Sequence, residues 1–263
     1  MLKIGVMPDS FRLPFYDGIK RAYDMGAKGI GPWISGGFLA PENMTEQGIA
    51  EFKSVIKGYD LTLSAVCGDI GYNFADLEKR EESVARFGQL LHHTAALGTK
   101  IMTSHIGNVP ENMEEQKYTD MVETMKMVAK HAEDADVYFA IETGGETPAV
   151  LKQFIENVGS KNVKVNFDPA NLVLGGLCNP VDGVYILRDY IVSTHAKDGI
   201  RFKGGCEEVP LGTGGVPFPE YLKALVDIGF DGYLTIERET GDNTPRDIQI
   251  AYNYLDKLLK ELF

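Results

Sequence analysis

The stretch Ile191–Arg201, IVSTHAKDGIR, opens on four β-branched or small residues and then sets down a histidine, a lysine, an aspartate and an arginine. Residues like the first four suit a strand of a parallel sheet covered on both faces, so the first polar side chain marks the strand's carboxyl end. His195 is that side chain. One histidine at one strand end means little, whereas the same ending on several strands would assemble a site.

Seven further runs have the same form: KIGVM from Lys3, KGIGPW from Lys28, LTLSAV from Leu61, KIMTSHI from Lys100, VYFAIE from Val137, VKVNFD from Val163 and GYLTIE from Gly232. Between them lie longer stretches of helical period, and no linker interrupts the alternation. In GETPAVLKQF, Thr147 can cap a helix whose first turn holds Pro148, where the missing N–H costs nothing. Pro219 in VPFPEYLKAL reads the same way. From about Pro245, Ile248, Ala251, Leu255, Leu258, Leu259 and Leu262 recur at helical spacing, so one stripe is expected against the sheet. Eight βα units in 263 residues predict an α/β chain forming one (β/α)8 TIM barrel domain over residues 1–263. An open doubly wound sheet would carry a glycine-rich phosphate turn after its first strand. MPDSFRLP stands there instead, and LGTGG at Leu211 completes neither nucleotide fingerprint.

Composition sets the outer bounds. With 44% hydrophobic and 24% charged residues, neither disorder nor a membrane-embedded chain has compositional support. The formal charge of -12, from 38 acidic against 26 basic residues, argues against nucleic acid and anionic membrane surfaces as partners. The opening MLKIGVMPDS has too short an apolar run for a signal peptide, and no later run reaches membrane-spanning length, so a cytoplasmic location is expected. Cys67, Cys178 and Cys206 are odd in number and widely separated, which predicts reduced thiols, with Cys67 packed at a strand end or facing a pocket.

In such a barrel, polar residues at the carboxyl ends of the strands converge on one mouth. Reading the ends in turn gives His105, Glu142, Asp168, His195 and Glu237. An isolated acid after a strand usually caps the next helix or meets water. Three carboxylates crowded at one mouth, however, need a cation or protons to relieve their repulsion. Glu142, Asp168, His195 and Glu237 are therefore the expected ligands of one divalent ion. Oxygen-rich ligation favours Mn²⁺, with Mg²⁺, Co²⁺ and Zn²⁺ as alternatives. His105 is expected either to bind substrate or to be a satisfied structural histidine, and Trp33, at the end of the second strand, to wall the pocket or close the barrel. His92, His93 and His131 fall within helical patterns and are assigned to surface or packing.

The segments IET at Ile141, NFDPANL at Asn166, THAKDG at Thr194, PLGTGGVPFPEYL at Pro210 and TIERE at Thr235 together resemble the sugar phosphate isomerase/epimerase family, which has a xylose-isomerase-like barrel. The resemblance spans nearly the whole chain in the expected order. It implies a metal held by Glu142, Asp168, His195 and Glu237, the two glutamates doubling as proton-transfer groups, and a dimer or tetramer. It also implies a substrate contact for Arg201. Asn171 stands where ketose epimerases often carry a substrate-binding histidine, a departure from the ketose 3-epimerase pattern.

A metal chelated by a sugar carbonyl and the neighbouring hydroxyl would acidify the adjacent C–H bond and stabilise the enediolate formed when that proton leaves. With Glu142 and Glu237 as the acid/base pair, proton return to the opposite face epimerises the centre, and return to the neighbouring carbon interconverts aldose and ketose. The same start can expel a β-hydroxyl, making an inosose dehydratase or keto-glycoside eliminase the alternative. Asn171 is a further candidate for substrate binding, and Lys197, Asp198 and Arg201 could bind substrate hydroxyls or a phosphate, or could instead form an ion-paired loop. A three-zinc DNA-repair endonuclease on a related barrel would need more histidine ligands than this mouth supplies, and a barrel that binds sugar without turnover would not need the acid/base pair.

Overall fold

The structure is a computed structural model that describes residues 1–263. Its strands are β1 (Lys3–Val6), β2 (Gly29–Ile30), β3 (Thr62–Leu63), β4 (Val66–Cys67), β5 (Ile101–Ser104), β6 (Tyr138–Glu142), β7 (Val163–Phe167), β8 (Ile191–Ala196), β9 (Asp198–Phe202), β10 (Gly205–Val209) and β11 (Tyr233–Ile236). Nine form one parallel sheet in the order β3-β2-β1-β11-β8-β7-β6-β5-β4, and helices follow on its outside. β3 and β4 are two halves of the single run expected from Leu61. β3 pairs with β2 and β4 with β5, so this run brings the two edges of the sheet together and completes the (β/α)8 barrel.

The break at that closure has a local cause. Pro32 has no N–H to give, so the KGIGPW run supports only the Gly29–Ile30 ladder before its backbone turns away. Ser64 donates from both N and Oγ to the Ile30 carbonyl, at 3.0 and 2.9 Å. Beyond the break, Cys67 N–H donates to the Pro32 carbonyl at 2.9 Å and Ile34 N–H to the Cys67 carbonyl at 2.8 Å. Gly29 is needed because a Cβ there would lie 2.5 Å from the ring of Tyr233 on β11, one strand beyond β1.

Strand parity decides which residues face the lumen. Phe139 of β6 packs outward, edge-on to Phe87 of helix Arg80–Leu97 with centroids 5.2 Å apart, which turns Glu142, three residues on, inward. Phe167 of β7 stacks on Tyr221 of helix Phe218–Asp227 at 5.8 Å, leaving Asn166 and Asp168 on the opposite face. Each such fully buried aromatic contributes roughly 1.5–3 kcal/mol over an exposed one. The caps follow the sequence: Thr147 Oγ accepts from Val150 N–H before helix Pro148–Val158. The final helix, Thr244–Leu262, buries Ile248, Ala251 and Leu255, and packs Leu258, Leu259 and Leu262 against the core more loosely. No helix is long and apolar enough to cross a membrane.

One feature beyond the eight units is the antiparallel hairpin β9–β10, which follows β8 directly. Its charged, exposed residues have no apolar alternation to announce them. Asp198 ties the hairpin to the 210–216 loop, accepting from the backbone N–H groups of Gly199, Gly212, Gly214 and Val216 at 2.8–3.1 Å. A Cβ on Gly214 would meet Asp198 Oδ1 at 2.2 Å, so only glycine allows this approach. Of the readings open for Asp198, the structure places it in this clamp. Asp198→Ala is expected to destabilise the chain by roughly 2–4 kcal/mol in urea unfolding, because several buried donors lose their acceptor. A change below about 1 kcal/mol would contradict the clamp.

Candidate metal centre

Glu142, Asp168, His195 and Glu237 each offer one ligand atom, and these atoms all lie within 4.8 Å of one another. They come from the ends of β6, β7, β8 and β11, four neighbours in the sheet, and all four side chains are buried. His195 Nδ1 is 3.3 Å from Glu142 Oε1, 3.3 Å from Glu237 Oε2 and 3.9 Å from Asp168 Oδ2. None of these contacts has hydrogen-bond geometry: Nδ1 and Asp168 Oδ2 are buried with no hydrogen-bond partner. Buried polar atoms are almost always satisfied, so two orphans turned toward one shared space fit a cation between them. The donor set, three carboxylates and one imidazole, fits a hard or borderline divalent ion.

The opposite edges of the same side chains are anchored. Asp168 Oδ1 accepts from Ala170 N–H at 2.8 Å and Asn171 N–H at 3.2 Å, capping helix Pro169–Gly175. Asn166 Nδ2 lies 3.3 Å from both Glu142 Oε2 and His195 Nε2, while its Oδ1 has no partner. For Nδ1 to hold a cation, Nε2 must carry the proton, and a half-turn of the Asn166 amide supplies that proton's acceptor.

Without an ion the cluster is held together by protons and by Lys197. Burial works against a charged His195, but the adjacent carboxylates of Glu237 and Glu142 outweigh it and hold the imidazole well above its ordinary value. Burial likewise opposes ionisation of Glu237, yet His195 and Lys197 together hold its carboxyl far below the usual range. The ion-free site is therefore protonated on His195 at neutral pH, and an ion at Nδ1 displaces that proton. Titrating the ion-free protein with Mn²⁺ at pH 7 in buffers of different ionisation enthalpy is expected to release about one proton per ion. Affinity should rise with pH until His195 loses its proton unaided. A titration with no proton release would contradict this picture.

The other expected residues divide into those at the ligands and those away from them. His105 sits beside Glu142, with Nε2 3.7 Å from Oε1, and its Nδ1 is 2.8 Å from Asp69 Oδ2. Desolvation lowers its affinity for a proton, but Glu142 and Asp69 overcome that and raise it to about 9. Asn171 Nδ2 donates to the Thr143 carbonyl at 2.9 Å and to Glu142 Oε1 at 3.3 Å, so it bears on a ligand. Lys197 is buried, 2.9 Å from Glu237 Oε2, 3.7 Å from Asp168 Oδ2 and also paired with Glu239, the ion-paired arrangement of the two open to it. Arg201, on β9, donates to the Leu174 carbonyl at 2.7 Å and packs on Gly176. Trp33 is 38% exposed and lines a cavity of about 1170 Å³ over β1, β2 and the β4–helix loop, so it is a wall residue.

The remaining histidines stay on helices, where His93 is buried with Nε2 2.8 Å from the Leu39 carbonyl. Cys67 is buried and its thiol is pushed up by desolvation; all three cysteines are free. Sequence reasoning missed Asp69, Glu239 and Asn166. Asn166 could have been found from parity, two residues before Asp168 on the same face. Asp69 and Glu239 sit in loops, where no periodicity marks them.

Comparison with known proteins agrees with the barrel fold. A profile of the xylose isomerase-like TIM barrel family matches residues 19–258. Among solved structures, a xylose isomerase domain protein from Planctomyces limnophilus superposes with a TM-score of 0.87 at 27% identity, covering 99% of this chain and 98% of that one. A probable 3-DHS dehydratase, AsbF of Bacillus anthracis, gives 0.80 at 20% identity over 97% and 99% of the two chains. A D-psicose 3-epimerase of Clostridium cellulolyticum H10, solved with D-tagatose, gives 0.77 at 19% identity over 98% and 99%. An uncharacterized protein of Methanocaldococcus jannaschii is 26% identical over 173 residues, 61% of this chain, and the match spans 58% of that protein's length.

Proposed function

The chain belongs to the xylose isomerase-like TIM barrel family, and from that premise we propose that it is a divalent-metal-dependent isomerase or epimerase of a sugar or sugar phosphate. The observation that carries the reading is the pair of orphaned buried atoms, His195 Nδ1 and Asp168 Oδ2, set between two buried glutamates. Glu142, Asp168, His195 and Glu237 would hold the ion, Mn²⁺ by preference for this donor set, with Mg²⁺, Co²⁺ or Zn²⁺ able to take its place. When bound, the ion supplies Lewis acidity: it polarises a carbonyl and favours negative charge on the adjoining oxygens.

The chain's own residues then move the proton. Glu142 and Glu237 approach the shared centre from β6 and β11, on opposite sides of His195, so one carboxylate removes a proton from carbon and the other can deliver one. His195 and Lys197 keep Glu237 ionised, so it is able to accept a proton. Lys197, on Glu237 Oε2, and Asn171, on Glu142 Oε1, fix the orientation of the two carboxylates. Asp168 and His195 hold the ion without exchanging protons with substrate. Trp33 walls the larger cavity at the mouth. The reading includes a homo-oligomer, dimer or tetramer, in the cytoplasm, with neither nucleic acid nor membrane as a partner.

Elimination is the second reading, a dehydratase or eliminase on an inosose or keto-glycoside. It is favoured by His105, whose imidazole beside Glu142 is held protonated up to about pH 9 and could protonate a departing hydroxyl. The fold likeness to a probable dehydratase is compatible with it. Incubating the metal-loaded protein with ketoses, aldoses, inososes and keto-glycosides in deuterated water, with NMR detection, tests both. Deuterium at the carbon beside a carbonyl with retained composition supports isomerisation or epimerisation, loss of water or aglycone supports elimination, and no exchange with any substrate contradicts both.

A further inference from the structure

The mouth holds a cavity of about 1170 Å³ beside the four-ligand cluster, far more room than one ion needs. The two adjoin through Asp69, on the cavity wall, whose Oδ2 is 2.8 Å from His105 Nδ1, while His105 Nε2 is 3.7 Å from Glu142 Oε1. A substrate with its reacting carbons at the cluster would extend its far end into this space. The chemistry of the wall therefore reports what that far end is.

The wall carries three carboxylates, Asp9, Asp69 and Glu82, of which Asp69 is paired with His105, against a single guanidinium, Arg86. Arg86 is not available to an anion. Its Nη1 and Nη2 pair with the two carboxylate oxygens of Glu42 at 3.0 and 3.1 Å, and Nη2 also donates to the Ser35 carbonyl at 3.0 Å. Such a two-pronged pair uses the geometry by which arginine would grip a phosphate. The second cavity at the mouth, about 600 Å³, contains Lys197 and Arg238. Both are engaged, Lys197 with Glu237 at 2.9 Å, and Arg238 with Glu208 at 2.9 Å and Asp247 at 3.0 Å.

Every Lys or Arg lining either cavity is thus neutralised by a carboxylate. A phosphate dianion placed there would exchange its hydration for a wall of like charge. Hydroxyl groups meet the opposite situation. They donate to carboxylates such as Asp9 and Glu82, and the C–H face of a sugar can lie on the Trp33 ring, which is apolar in its body. Taking as given the reading that the substrate is a sugar, we infer that this cavity receives the uncharged, hydroxyl-bearing end of an unphosphorylated sugar or cyclic polyol and disfavours its phosphate ester.

Trp33 is the sole tryptophan and sits in that wall, so its fluorescence reports occupancy whether or not turnover follows. The test is a titration of the Mg²⁺-loaded full chain with D-fructose, D-tagatose and D-xylulose, each beside its terminal phosphate ester. At least one free sugar is expected to shift Trp33 emission, with its ester binding about tenfold or more weakly. An ester that binds as tightly as the free sugar overturns the inference, as does a failure of every free sugar to change the emission. Glu42→Gln, which frees Arg86 at an exposed position, is expected to tighten the ester several-fold and leave the free sugar unchanged; an unchanged ester affinity would contradict the assignment of selectivity to that ion pair. Solvent-deuterium exchange separates this inference from the reading it rests on. Exchange into esters alone sinks the inference and leaves the isomerase reading standing, whereas free sugars that bind without any exchange do the reverse.

Discussion

Glu237→Gln is expected to slow proton exchange between substrate and solvent by about 10²–10⁴-fold, the range contributed by a positioned general acid or base. The amide keeps the volume of the buried side chain and retains an oxygen toward the cluster, but it can neither accept the proton nor carry the charge. The effect should fall on kcat rather than KM, because the group acts on a proton that moves only in the reaction. Two further consequences distinguish this from mere disruption. Lys197 keeps Glu239 as an ion-pair partner, so the fold should persist. His195 loses one of the three carboxylates that hold its proton, so the ion-free variant should release that proton at lower pH than the parent chain. Metal content measured beside the rate separates a lost base from a lost ligand. Exchange within about threefold of the parent rate would refute Glu237 as the base.

Asp168 has the second large expected effect, because its two oxygens have different tasks. Oδ1 caps helix Pro169–Gly175 through Ala170 and Asn171, and Oδ2 has no hydrogen bond and faces His195 Nδ1 at 3.9 Å and Lys197 Nζ at 3.7 Å. Asp168→Ala removes both and is expected to cost about 1–2 kcal/mol of stability from the cap alone, together with tight metal binding. Asp168→Asn keeps an oxygen for the two N–H groups and should recover most of the stability. Neither variant presents a charged ligand at that position, so both are expected to bind Mn²⁺ at least about 10²-fold more weakly, the scale of losses from disturbed metal sites. Calorimetric titration and urea unfolding of both variants check the two tasks separately. Normal Mn²⁺ affinity in Asp168→Asn would show that Oδ2 does not face the ion.

Much of this was legible in the sequence, for a physical reason. A parallel strand covered on both faces reads as an unbroken apolar run, so the first polar residue after VYFAI, VKVNF, IVST or YLTI falls at the barrel mouth, and those residues are Glu142, Asp168, His195 and Glu237. The helix cap at Thr147 and the stripe of the last helix follow equally local rules. What escaped depends on contacts between distant segments. The third strand is divided because Pro32, on the neighbouring strand, interrupts the shared ladder, which a reading of LTLSAV alone does not contain. The β9–β10 hairpin has no core-facing period to mark it, and Asp198 holds it through backbone groups that lie 14 to 18 residues further along. An ion-paired Lys197 was open from the sequence, but its partner Glu239, two residues beyond the last strand-end acid, was not. Asp69 acquires meaning only through His105, 36 positions away.

The central claim is that four side chains from neighbouring strands grip one ion, and anomalous diffraction from crystals of the chain saturated with Mn²⁺ tests it most directly. The account predicts one strong peak bounded by Glu142, Asp168 Oδ2, His195 Nδ1 and Glu237, at about 2.0–2.4 Å from each. A saturated crystal with no peak there, or with its manganese held by other residues, would contradict it.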